Sequence, residues 1–136
     1  MPKYGTTSRK RLEQCDQRIQ DIMNEVIEYY DCKILTGHRT KEEQQAMFDL
    51  KRSKVKWPNS KHNSMPSIAI DVAPWPIPKQ WGKNWKDRVK LYELKAIIFF
   101  IAAKHGVKIR FGGDWDQDKD YTDNKFDDLV HFEIVE

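Results

Sequence analysis

The sequence predicts an α+β fold, a small and largely antiparallel sheet with helices packed on one face. Apolar residues recur at three- and four-residue spacing in the N-terminal segment, short β-branched runs alternate with period two further on, and no linker or internal repeat interrupts the chain. At 136 residues there is room for one core, so a single domain over 1–136 is expected.

Thr7 or Ser8 is placed to cap a helix running to about Tyr30, with Leu12, Cys15, Ile19, Ile22, Met23, Val26 and Tyr30 on one face. Lys33 to Thr36 reads as a short strand ending at Gly37. Thr40 then caps a second helix, Glu43 completes a capping box, and Ala46, Met47 and Leu50 supply its apolar side. Residues 51 to 66 are polar, with Pro58 and Pro66, and read as a loop. Ser67 to Val72 is a strand. The tryptophan- and proline-rich stretch from Trp75 to Trp85 excludes long regular structure, and its part in any groove is open. A third helix from about Asp87 to His105, with Gly106 as C-cap, is apolar nearly all round and is expected to be central and buried. Lys108 to Phe111 is a strand ended by Gly112-Gly113; an acidic loop from Asp114 to Asp128 leads to a last strand, Val130 to Val135.

Composition narrows the function classes. An apolar fraction of 39% with five Trp, six Phe and five Tyr supports a packed interior, and the 33% of charged residues is interleaved with it, which excludes a disordered chain. A net charge of +3 and pI near 8.8 favour anionic surroundings but provide no basic stripe for nucleic acid. No apolar run approaches the roughly 18 residues of a membrane span, and no hydrophobic signal segment follows Met1, so synthesis in a cytoplasm is expected. Cys15 falls on the apolar stripe and reads as a buried thiol; a single disulfide with Cys32 remains open.

Two separated motifs carry the chemistry. Ser60-Lys61-His62 is followed nine residues after the histidine by Asp71, and Asp128-Leu129-Val130-His131 lies near the C-terminus. Two imidazoles and a carboxylate make a three-ligand zinc site with one open position, and Asp128 is placed to take a proton from a water there. Strand alternation puts Ile68, Ile70 and Val72 on one face and Asp71 on the other; Val130, Phe132 and Ile134 share a face, with His131 and Glu133 opposite. Both strands thus turn apolar residues to the helices and the candidate ligands to the open face. A loop must fold His62 back to the strand, and a turn before the last strand would bring Asp128 in despite its odd offset from His131. Taken singly, a loop histidine is also accounted for by solvation and a strand aspartate by a lysine partner. His38 and His105 read as structural or surface residues, the latter favoured at a helix C-terminus, and Glu133 either as an ordinary surface charge or, more sharply, as an acceptor orienting a ligand imidazole.

These blocks, together with Thr36-Gly37-His38-Arg39-Thr40, Ala73-Pro74, Arg110-Phe111-Gly112-Gly113-Asp114-Trp115 and His131-Phe132-Glu133, resemble the VanY-like zinc peptidases that include D-Ala-D-Ala carboxypeptidases and dipeptidases. The likeness is greatest to small phage endolysins that act as L-alanyl-D-glutamate peptidases. It implies a hedgehog/D-Ala-D-Ala-peptidase-like fold with a zinc cleft on the open sheet face, zinc on His62, Asp71 and His131, and Asp128 as general base. It also implies that Arg39 binds substrate and stabilises the oxyanion, as a guanidinium's paired donors suit; Ser60 is a further candidate substrate contact. The common motif has a glycine and two fewer residues between histidine and aspartate, whereas this chain carries Met65-Pro66-Ser67 there, so a longer loop is expected.

The acidic series Asp114, Asp116, Asp118 and Asp120 resembles the start of a calcium loop, but lacks the sixth-position glycine and has Lys125 at the twelfth; a Ca2+ site there competes with a solvated loop. The resulting expectation is a monomeric phage zinc endopeptidase that cuts bacterial peptidoglycan stems at L-Ala-D-Glu for host lysis. It would be made in the host cytoplasm and act on the periplasmic wall once another protein opens the inner membrane. A D-Ala-D-Ala carboxypeptidase and a non-catalytic wall-binding module of the same fold are the alternatives.

Overall fold

The computed structural model describes residues 2–118 and 128–136. In chain order it has α1 (Thr6–Glu13), α2 (Gln17–Tyr29), β1 (Cys32–Thr36), α3 (Lys41–Asp49), a 3-10 turn (Lys61–Asn63), β2 (Ala69–Pro74), α4 (Trp85–Lys104), β3 (Ile109–Gly112) and β4 (Asp128–Ile134). The four strands form one antiparallel sheet in the order β1-β2-β4-β3. Its inner face, with Ile70, Val72, Phe111, Phe132 and Ile134, packs into one core with Ile22, Met23 and Val26 of α2 and Leu91, Leu94, Ile98 and Ile101 of α4. Each large apolar side chain buried there stabilises the fold by about 1.5–3 kcal/mol. Among the described residues, no helix is long and apolar enough to cross a membrane.

The single N-terminal helix expected from the periodicity is two helices. Gly5, not Thr7 or Ser8, occupies the N-cap of α1, and the Ser8 hydroxyl accepts the Ile34 N–H instead, tying α1 to β1. The break lies at Gln14 to Asp16, where the chain pairs like a strand with Ser67: Ser67 N–H donates to the Gln14 carbonyl (2.9 Å) and Asp16 N–H to the Ser67 carbonyl (2.8 Å). Asp16 then restarts the helix by accepting the Arg18 N–H. The apolar rhythm survives because Cys15 is buried on both accounts; Cys15 and Cys32 are free thiols.

Two further expectations are corrected. The capping box of Thr40 and Glu43 is present, but α3 turns no apolar stripe inward: Ala46 and Leu50 are exposed, Met47 is half-buried, and the residue it buries is Gln44. α4, capped by Asn84, is buried on one face only, although its 96–103 run is apolar all round. Leu91, Leu94, Ile98, Ile101 and Ala102 face the core at helical spacing, and Phe100 is 69% exposed. Gly106 follows the His105 C-cap in the left-handed region that ends many helices.

A candidate metal centre and catalytic cleft

Antiparallel pairing sets Asp71 of β2 directly opposite His131 of β4, and Ala69 opposite Glu133. The inward partners of this register, Ile70 and Phe132, are core residues, so the alternation that buries one set delivers the other to the opposite face. His62 arrives from the 3-10 turn. The Ser60 hydroxyl caps this turn by accepting the His62 N–H (3.2 Å), and Asn63 Oδ1 accepts the Ser60 N–H (3.0 Å). The turn is then laced to the segment after β1: Arg39 N–H donates to the His62 carbonyl (2.8 Å), and Asn63 Nδ2 to the Arg39 carbonyl (3.2 Å). The longer loop through Met65 and Pro66 leaves His62 in place, with Met65 exposed and Ser67 paired to the α1–α2 break.

His62 Nε2, Asp71 Oδ1 and His131 Nδ1 form a triangle with all three sides 3.2 Å, and all three residues are buried. The outer ring nitrogens fix the tautomers. His62 Nδ1 lies 2.8 Å from the Gly37 carbonyl, an acceptor only, and His131 Nε2 lies 2.7 Å from Glu133 Oε1. Each therefore carries its proton outward and turns a lone pair inward. Two lone pairs and a carboxylate oxygen then converge with no donor among them, an arrangement that calls for a cation. Without a cation a proton takes its place on the inner nitrogen: burial disfavours charge at His131, but Asp71 and Glu133 outweigh it and raise its pKa to about 9, and a metal would bind by displacing that proton. Burial likewise favours a neutral Asp71, yet His62 and His131 hold its carboxyl below the ordinary range. A tetrahedral ion with bonds of about 2.0–2.1 Å separates neighbouring donors by about 3.3 Å, so this donor set fits zinc in spacing and in type.

The close approach of Gly37 is required: a Cβ there would stand 2.2 Å from the Arg11 carbonyl oxygen. Gly112 is constrained in the same way. Asp128 lies opposite it within β4, and a Cβ on Gly112 would meet the Asp128 carbonyl oxygen at 2.1 Å. The ladder steps from Phe111–Phe132 to Gly112–Asp128, and this bulge, not the turn expected before the strand, settles the odd offset between Asp128 and His131.

The triangle floors a cleft of about 560 Å³ whose lining includes Arg39, Ser60, Arg110, Trp115 and Asp128. Burial and the Asp71 charge raise the Asp128 carboxyl above its ordinary pKa, against the opposing pull of His131 and His62. Arg39 is buried, with Nη2 3.6 Å from Asp71 Oδ2 and Nη1 donating to Gln44 Oε1 (3.0 Å). Gln44 is the residue that sequence reasoning missed. Its Oε1 also accepts from Asn63 Nδ2, and its Nε2 donates to Ser53 Oγ and the Val55 carbonyl, so its amide is satisfied on both ends. Glu133 takes its second partner from Arg110 (2.8 Å), its neighbour in the β3–β4 register, and the Arg110 guanidinium lies over Trp115.

The remaining candidates are placed as follows. The Ser60 hydroxyl accepts the cap hydrogen bond of the 3-10 turn, and the residue lines the cleft. His38 is half-buried, its N–H bonded to Gln14, and His105 pairs with Glu25 at the end of α4, both outside the triad. Asp114, Asp116 and Asp118 bring carboxylate oxygens within 4.8 Å of one another, Asp114 buried and the other two exposed; Asp120 lies outside the described residues.

Comparison with known proteins follows the same line. Residues 1–135 match the family model described as phage L-alanyl-D-glutamate peptidase. The chain is 30% identical to the L-alanyl-D-glutamate peptidase of Escherichia phage T5 over 123 residues, 89% of this chain and 87% of that protein. The crystal structure of the Serratia marcescens L-Ala D-Glu endopeptidase ChiX superimposes with a TM-score of 0.72 at 18% identity, covering 98% of this chain and 90% of the other, a likeness of fold.

Proposed function

The chain belongs to the phage L-alanyl-D-glutamate peptidase family, and from that premise we propose that it is a zinc endopeptidase hydrolysing the L-Ala–D-Glu bond of peptidoglycan stem peptides. The observation that carries the zinc reading is the 3.2 Å triangle of two inward imidazole lone pairs and a carboxylate oxygen. His62, Asp71 and His131 would hold the ion. When bound, zinc supplies Lewis acidity, polarising a carbonyl and making a water acidic enough to react near pH 7.

The chain's own residues supply the rest. Asp128 takes the proton of the attacking water and returns it to the leaving amine of D-Glu, leaving the L-Ala carboxylate as the other product. Its raised proton affinity suits a group that must both accept and release a proton. The Arg39 guanidinium donates to the carbonyl oxygen as it gains negative charge, a role that its paired, planar donors suit. Glu133 and the Gly37 carbonyl keep the imidazole protons on the outer nitrogens throughout.

Mass spectrometry of fragments released from purified Gram-negative peptidoglycan tests the reading. New L-Ala C-termini and D-Glu N-termini that disappear with a zinc chelator are expected. Release of terminal D-Ala alone would move the chain to carboxypeptidase chemistry, and no release from folded, metal-loaded protein would leave a wall-binding module.

A further inference from the structure

The tryptophan- and proline-rich segment between β2 and α4 supplies nothing to the metal centre, yet it holds one residue in a disfavoured conformation. Trp81 has φ 51°, the left-handed region that a bulky side chain avoids. The neighbouring backbone explains how the turn is held. Gly82, at φ 87°, sits so close to the core that a Cβ would come within 2.9 Å of Leu129 Cδ1 and 3.0 Å of Leu91 Cδ1, and Arg88 Nη1 donates to its carbonyl (3.2 Å). Gly82 is thus fastened down and Trp81 is turned out, 51% exposed. Burial of the indole therefore does not account for the strain, and an exposed aromatic held against its backbone preference points to a binding role.

Trp81 borders a depression of about 340 Å³, lined also by Lys83, Arg88, Asp128 and Val130. Asp128 and Val130 line the catalytic cleft as well. We propose that this depression is a saccharide subsite, in which Trp81 offers its face to the amino sugar that carries the stem peptide. The inference rests on the peptidase reading above. In a stem cut at L-Ala–D-Glu, L-Ala is the first residue and is joined through its nitrogen to the lactyl group of the sugar. One residue spans at most about 3.6 Å, so the sugar must lie close beside the catalytic residues, as a depression sharing Asp128 does. A pyranose presents an apolar C–H face and a polar rim, which an indole plane flanked by Lys83 and Arg88 matches in kind.

The test compares two synthetic substrates with the same stem, one bearing N-acetylmuramic acid on L-Ala and one bearing a plain N-acetyl group. Wild-type protein should cut the sugar-bearing stem with kcat/KM higher by about two- to tenfold, mainly through KM, the range expected of one ring-face contact. Trp81→Ala should cancel that advantage while leaving the sugar-free stem within about twofold of wild type, and Trp81→Phe should keep part of it. Trp81→Gly adopts φ 51° without strain, so it preserves the turn and should also lose the advantage. Equal losses on both substrates, or an advantage that survives in the Ala and Gly variants, would overturn the subsite. Cleavage of both stems by wild type at equal rates would overturn the subsite alone; failure to cut either would overturn the peptidase reading beneath it.

Discussion

Gln44→Leu is the substitution that most sharply tests how the cleft is organised. Gln44 is fully buried and makes four hydrogen bonds, from Arg39 Nη1 and Asn63 Nδ2 to its oxygen and from its nitrogen to Ser53 Oγ and the Val55 carbonyl. Leucine fills similar space and removes all four. Asn63 Nδ2 keeps the Arg39 carbonyl and the Val55 carbonyl keeps the Ser53 hydroxyl, so the uncompensated loss falls on Arg39 Nη1. At about 1–3 kcal/mol for a buried group left unpaired, the expected loss of stability is about 1–3 kcal/mol, within what a small domain tolerates. Turnover should suffer more than stability. Arg39 is steered by Gln44 on one nitrogen and by Asp71 on the other, and loss of the neutral anchor lets the guanidinium collapse onto the carboxylate. A misplaced oxyanion donor costs about 10²-fold in kcat. The assay is a double-mutant cycle on stem-peptide cleavage with Arg39→Ala, with zinc content and Tm measured for every variant. If Gln44 acts through Arg39, the double variant should be no slower than Arg39→Ala alone. Additive losses in kcat, or full activity in Gln44→Leu at unchanged zinc content, would refute the positioning argument.

Other outcomes follow from the same geometry. Asp128→Ala should lower turnover by about 10²–10⁴-fold while zinc stays bound, and near-wild-type turnover would remove Asp128 from the proton-transfer role. His131→Ala should lose zinc during gel filtration, as metal analysis would read, whereas Glu133→Gln should retain it with affinity lowered by about 10–100-fold in chelator competition. Burial pushes the Cys15 thiol up to about 12, with Asp16 and Asp71 adding to it, and the Cys32 thiol up to about 11. Raised pKa means less thiolate, so at pH 8 both should react with a disulfide reagent about 10²-fold or more slowly than in denaturant; two rapidly titrating thiols in the native protein would contradict the packing.

Much of the site was legible in the sequence because strand alternation couples it to the core. Once Ile70, Val72, Phe132 and Ile134 face the helices, Asp71, His131 and Glu133 have one face left. His62 was legible as a residue type, but its tether was not, since the Gly37 carbonyl that orients it comes from a distant turn. The misread elements share one cause, partners remote in sequence. The helix break at Cys15 follows from backbone pairing with Ser67, which no local periodicity records. The burial of Gln44 depends on Asn63, Ser53 and Val55, and on any local reading a glutamine among Lys41, Glu42 and Glu43 belongs in solvent. The place of Asp128 depends on a bulge created where Gly112 lets two backbones touch. Arg110 was more accessible, because pairing the last two strands sets it across from Glu133.

The unequal outer partners of the two imidazoles carry a consequence for tuning the centre. His62 leans on a peptide carbonyl, which no side-chain replacement can alter, whereas His131 leans on a carboxylate already shared with a guanidinium. One ligand is therefore a constant of the scaffold and the other an adjustable electron donor. Replacing residue 133, or the arginine at 110 behind it, would grade the basicity of a single imidazole in steps while its opposite number stays unchanged. A family of such variants would act as a dial on the Lewis acidity of any metal held there, set from one side only.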